Sequence, residues 1–112
     1  MTEITDDFMR EMLGKSRPYS VVVLKKGPNY RADGDRSVIW EHGRRNFALR
    51  AAGQLAVVVP LASDTEMAGL GLFTTSLDDT RALMLGDPAI AAGWLTFEVY
   101  AGRSFPGDSL PG

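Results

Sequence analysis

An α+β fold with a single antiparallel sheet is predicted by three observations. Four short segments rich in β-branched and aromatic residues read as strands: YSVVVL (19–24), LAVVVPL (55–61), AGLGLFTT (68–75) and LTFEVY (95–100). Two segments of helical periodicity lie between the first and second strands and between the third and fourth. The resulting order, β-α-β-β-α-β in about 85 residues, is that of the ferredoxin-like split βαβ unit.

Each element has a local reason. Thr5, followed by Asp6 and Asp7, opens an N-terminal helix, since their oxygens accept free N–H groups and their charge suits the helix dipole. Phe8, Met9, Met12 and Leu13 share one face of it, and Gly14 is its stop. So short a helix is marginal alone and needs a partner for that face. After the first strand, KGPNYRADGD (26–35) is a loop of turn formers. Asp35 then caps a helix running to about Ala52, with Gly53 as its stop. Pro60 keeps the end of the second strand from a central position. Ser63-Asp64-Thr65-Glu66 is a polar turn, and two glycines weaken the third strand. Ser76 with Asp79 is a capping-box pattern opening a helix to Leu85, which Gly86 ends. Asp87 caps a further turn with Pro88 at its first position, where no N–H is needed. The tail SFPGDSLPG reads as extended.

The chain is thus expected to be one domain over residues 1–112. A helical extension covers 1–18, the βαββαβ core 19–101 and an extended tail 102–112. VVVL and LAVVV are apolar at successive positions, so both faces of the sheet call for burial, yet two helices cover only one. A second copy, sheet against sheet, is the expected cover, because large exposed apolar patches are rare in monomers. A homodimer follows as the expected assembly.

Composition narrows the function. There is no cysteine, which excludes disulfides and thiolate metal sites. With one histidine a typical zinc or copper site within one chain is not expected, although carboxylates leave room for Mg²⁺ or Ca²⁺. No cofactor is anticipated. The net charge of −2 argues against a nucleic-acid partner. The acidic start MTEITDDF is not a signal peptide, and no apolar stretch approaches a membrane span. A cytoplasmic protein without membrane contact is the expectation.

His42, the sole histidine, shares a helical stripe with Ile39, Asn46 and Leu49, next to Gly43, which leaves space beside it. That placement points it toward the sheet. Spacing alone fits a packed structural histidine better than a catalytic one. Topology adds a partner. The crossover helices of a split βαβ sheet run antiparallel, so the half carrying His42 lies beside the end that precedes Asp87. A carboxylate that orients a histidine is a standard way to build a general base.

The succession of a strand, a helix with His42, Leu49 and Ala52-Gly53, then LAVVVPL, then GDPAIAAG (86–93) before a last strand resembles the YCII-related domain. The resemblance covers roughly residues 19–101, and its most specific piece is Asp87-Pro88 with Ala92-Gly93 downstream of His42. It implies a dimeric α+β barrel of ferredoxin-like subunits, with His42 and Asp87 as the active-site pair. Some members act on chlorinated or hydroxylated aromatic breakdown products. The sequence departs from the family pattern at Val59, Gly43 and Asn46, where a glycine and bulkier apolar residues are usual, so a wider or more polar pocket is implied.

Around the pair, Arg44 and Arg45 follow His42, while Lys25, Lys26, Tyr30 and Arg31 lie on or next to the preceding loop. They are candidates for gripping an anion, or simply solvated surface groups. Arg45, Asn46 and Tyr30 are the expected substrate-binding residues. Glu98 reads as a polar edge residue or, alternatively, as a second carboxylate in a dimer cavity. Two function classes follow. One is a cofactor-free enzyme in which His42, oriented by Asp87, moves a proton in isomerase, lyase or dehydrochlorinase-type chemistry on a small cyclic or unsaturated acid. The other is a non-catalytic ligand-binding or accessory domain using the same cavity.

Overall fold

The structure, a computed structural model, describes residues 1–112. Its elements are α1 (Asp6–Gly14), β1 (Arg17–Lys26), α2 (Ser37–Ala51), β2 (Leu55–Pro60), β3 (Met67–Phe73), α3 (Leu77–Leu85), α4 (Pro88–Ala91) and β4 (Leu95–Ser104). The four strands form one open sheet in the order β2-β3-β1-β4, antiparallel at every pairing. This is the α+β, ferredoxin-like arrangement that the alternation of strands and helices predicts.

One face of the sheet carries the core. Strand alternation puts Ser20, Val22 and Leu24 of β1 on the helix-covered side, where they are buried with Leu55, Phe73 and Leu95. Leu49, Met84, Ala89 and Trp94 close the layer from the helices. The buried hydroxyl of Ser20 donates to the Thr75 carbonyl at 2.7 Å, so this core holds no unpaired serine. The opposite face carries Val21, Val23, Val57, Val59, Leu70 and Leu72, none of which is buried. Beside them stand Lys25, Glu98 and Tyr100.

Capping follows the sequence at three helices. Thr5 Oγ1 accepts the Phe8 N–H, Ser76 Oγ accepts the Asp79 N–H, and Asp87 Oδ1 accepts the Ala89 N–H. At α2 it differs. Asp35 accepts the Ser37 N–H at 2.9 Å, but the N-cap is Arg36, which caps with no side-chain hydrogen bond. Gly53, at φ 76°, ends α2 in a Schellman turn, with Gln54 N–H on the Leu49 carbonyl. Gly93, at φ 72°, ends α4 the same way through Trp94 N–H and the Ala89 carbonyl.

Boundaries are longer than expected at both ends of the core. β4 continues through Ala101-Gly102-Arg103-Ser104, because β1 begins at Arg17 and offers it partners: Tyr19 pairs with Gly102 and Arg17 with Ser104. The tail therefore starts at Phe105. α1 buries none of its residues, and Phe8, Met9 and Leu13 stay exposed. No helix is long and apolar enough to cross a membrane.

Candidate functional site

α2 and α4 together build the site. His42 lies one and a half turns into α2 and is 8% exposed; Asp87, the N-cap of α4, is 1% exposed. His42 Nδ1 and Asp87 Oδ2 are 2.7 Å apart. The second carboxylate oxygen is committed to the Ala89 N–H at 2.8 Å, so the turn that starts α4 fixes the carboxylate from behind. An ionised carboxylate only accepts, so Nδ1 carries the proton and Nε2 keeps its lone pair. The Asn46 amide nitrogen, 3.3 Å from Nε2 and one turn along α2, is placed to donate to it, in agreement with that tautomer.

His42 lines a cavity of about 630 Å³, within the range of small-molecule sites, which reaches from α2 around the β2 edge of the sheet to Val57, Val59 and Leu70. Ile39, Gly43, Asn46 and Phe47 of α2 form one wall, with Leu55, Val58, Ala68 and Leu95 of the sheet opposite. A side-chain carbon at Gly43 would meet nothing within 4 Å, so this glycine widens the opening next to the imidazole. Tyr30 lines the cavity from the loop before α2. Its loop is fastened to the turn after α4: Gly27 N–H donates to the Trp94 carbonyl, Asn29 N–H to the Gly93 carbonyl, and the Asn29 amide to the Ala92 carbonyl. A Cβ at Gly27 would collide with the Gly93 carbonyl oxygen, which is why this contact needs glycine. The Tyr30 ring then meets Trp94 edge-on at 5.6 Å.

Of the substrate-binding residues expected from sequence, Tyr30 and Asn46 line the cavity. Arg45 does not. Three residues on from His42, it leaves the cavity wall and lies against Asp87 and Gly86. Its Nη1 stands 4.0 Å from Asp87 Oδ2, in charge contact without a hydrogen bond, and is buried with no hydrogen-bond partner. Gly86 eases this approach, since a Cβ there would stand 3.0 Å from Arg45 Nη2. Arg45 is thus a counter-charge behind the carboxylate. Arg44 is exposed and pairs with Glu41, and Arg31 is exposed outside the cavity. Lys26, one of the loop cations expected from sequence as candidates for gripping an anion, lines the cavity. The signal for it was present: Ser20, Val22, Leu24 and Lys26 alternate onto one face of β1.

Glu98 lies on the other face of the sheet. It pairs with Lys25 and accepts from the Tyr100 hydroxyl. The Lys25 ammonium, followed by the Tyr100 hydroxyl, holds the Glu98 carboxyl below its ordinary range. The same carboxylate raises Lys25 and Tyr100 above theirs. No three His, Asp or Glu side chains converge in a way that would hold a metal ion. No family model and no curated protein matches the chain.

Proposed function

We propose that the chain is a YCII-like, cofactor-free enzyme whose His42–Asp87 pair moves a proton on a small cyclic or unsaturated acid. The observation that carries this reading is a buried, 2.7 Å imidazole–carboxylate contact beside a cavity large enough for a small-molecule ligand. A histidine placed for packing has no need of a cavity at its ring. Asp87 holds the proton on Nδ1 and balances the imidazolium that forms, and Nε2 becomes the base once a ligand displaces the Asn46 amide from it. Nε2 takes a proton from carbon beside the acid group. It returns that proton at another carbon in an isomerisation, or keeps it while a leaving group departs in an elimination.

The assembly proposed with it is a homodimer through the open sheet face, giving the dimeric α+β barrel. The support is the row of valines and leucines on that face, which the chain's own helices leave uncovered. The reading of a non-catalytic binding module uses the same cavity and predicts binding without proton exchange.

Incubation with a panel of cyclic and unsaturated acids in D₂O distinguishes the two. Deuterium incorporation or product formation, reduced roughly 10²–10⁴-fold in His42→Gln, is the expected result. Binding with no exchange in the wild type supports the binding module. An activity that survives His42→Gln excludes His42 as the proton carrier.

A further inference from the structure

We infer that Lys26 is the anion anchor of the cavity and that the ligand is a small monoanion with an apolar body. The inference builds on the proposed site, but it concerns binding alone and is tested without turnover. The chain has 14 acidic and 12 basic residues, yet no aspartate or glutamate lines the cavity. Lys26, Arg36 and Arg50 do. Asp87 lies behind His42 and is already committed to the imidazole and to the Ala89 N–H. The local surplus of positive charge is therefore the reverse of the chain's net charge of −2.

Among the three cations, Lys26 is the one held in place. Its Nζ donates to the Ser63 carbonyl at 2.7 Å and sits 5.3 Å over the Tyr30 ring centre. It takes part in none of the chain's ion pairs. An ammonium has three donors, so two remain for a ligand. A half-buried cation satisfied only by a carbonyl and an aromatic face gains most from an incoming carboxylate, and its pre-ordered stem lowers the entropy of binding. Arg36 and Arg50 are exposed and serve the entrance. The remaining walls are mostly apolar, which suits an uncharged ring or chain and offers nothing to a second anionic group at depth.

The test uses matched pairs: benzoate with benzamide, and sorbate with sorbamide. Binding is followed through the ring protons of His42, the sole histidine, and through amide spectra. Each carboxylate should bind the wild type roughly tenfold or more tighter than its amide. Lys26→Met should erase that preference while leaving amide binding unchanged, and Lys26→Arg should keep it. Lys26→Gln, which retains a donor for the Ser63 carbonyl, gives the same reading if the methionine variant is unstable. The preference is read from binding alone and needs no turnover, so failure of the catalytic reading stays separate. Equal binding of acid and amide, a preference that survives Lys26→Met, or no binding of either pair at millimolar concentration would each overturn the inference.

Discussion

Asp87 serves His42 and Ala89 with different oxygens: Oδ2 meets the imidazole at 2.7 Å while Oδ1 caps α4 at 2.8 Å. The cap and the site are one side chain, so a substitution that spares one function can be separated from a substitution that removes both.

Asp87→Asn keeps a single acceptor oxygen. If that oxygen stays on the Ala89 N–H, the amide NH₂ faces His42 and donates to Nδ1. The neutral imidazole must then carry its proton on Nε2, the nitrogen beside the Asn46 side chain. Nitrogen-15 spectra of the neutral ring should show the Nδ1–H tautomer in the wild type and the Nε2–H tautomer in the variant. An unchanged tautomer in a folded variant would show that Asp87 is a turn cap only. Stability in urea should fall by about 1–3 kcal/mol, the usual loss for a charge-assisted hydrogen bond. Asp87→Ala should cost a further ~1 kcal/mol because α4 loses its cap as well.

Arg45 tests whether the counter-charge is structural. Arg45→Met keeps much of the alkyl stem and removes the charge 4.0 Å from Asp87. The Arg45 side chain is a quarter exposed although Nη1 itself is buried, and the contact is not a hydrogen bond, so the expected loss in urea unfolding is about 1 kcal/mol. Carboxylate binding in the cavity should change little, because Arg45 does not line it. A large loss of binding with unchanged stability would return Arg45 to the role expected from sequence.

The His42–Asp87 pair was legible because topology alone brings the first half of one crossover helix to the end of the other. It needed no side-chain detail. Arg45 was not legible in the same way. Its place against Asp87 comes from packing beside Gly86, a neighbour forty-one positions away along the chain, which helical spacing does not show. The end of the sheet was misplaced for a related reason. Ala101-Gly102-Arg103-Ser104 has weak strand propensity, but β1 supplies backbone partners, and Arg103 hydrogen-bonds to Ser16 at 3.0 Å. Tertiary pairing overrode local preference there. At α2, Asp35 found a backbone N–H as expected, but one residue too early to be the cap.

The proposed dimer makes a prediction in mass. Light scattering after gel filtration should give twice the 12.2 kDa chain at micromolar concentration. Leu70→Lys places a charge on the open face between Val23 and Val59, its partners on the two neighbouring strands. It should yield a folded monomer with an unchanged His42 tautomer. A wild type that is monomeric at that concentration would exclude the dimer, and with it the barrel.

The cluster of Lys25, Glu98 and Tyr100 on that same face makes a prediction in pH. The Glu98 carboxyl is held below its ordinary value of 4.5, so its contribution exists above that value and fades as pH falls through the lower folded one. Lys25 and Tyr100 are raised above 10.5 and 10.0, so their contributions exist below those values and fade as pH rises through the folded ones. The signs agree: Glu98 must be ionised, and Lys25 and Tyr100 protonated, for the cluster to hold. Glu66, 3.8 Å from Lys25, adds a weaker charge of the same sign as Glu98. Thermal unfolding of the wild type minus Glu98→Gln should therefore show a plateau of extra stability between about pH 5 and pH 10, closing at both ends. Half-molar salt should shrink the plateau most in the Leu70→Lys monomer, where these charges are open to solvent and are screened. A difference that does not vary with pH would mean that Glu98 acts through packing and that the charges on this face contribute nothing to the fold.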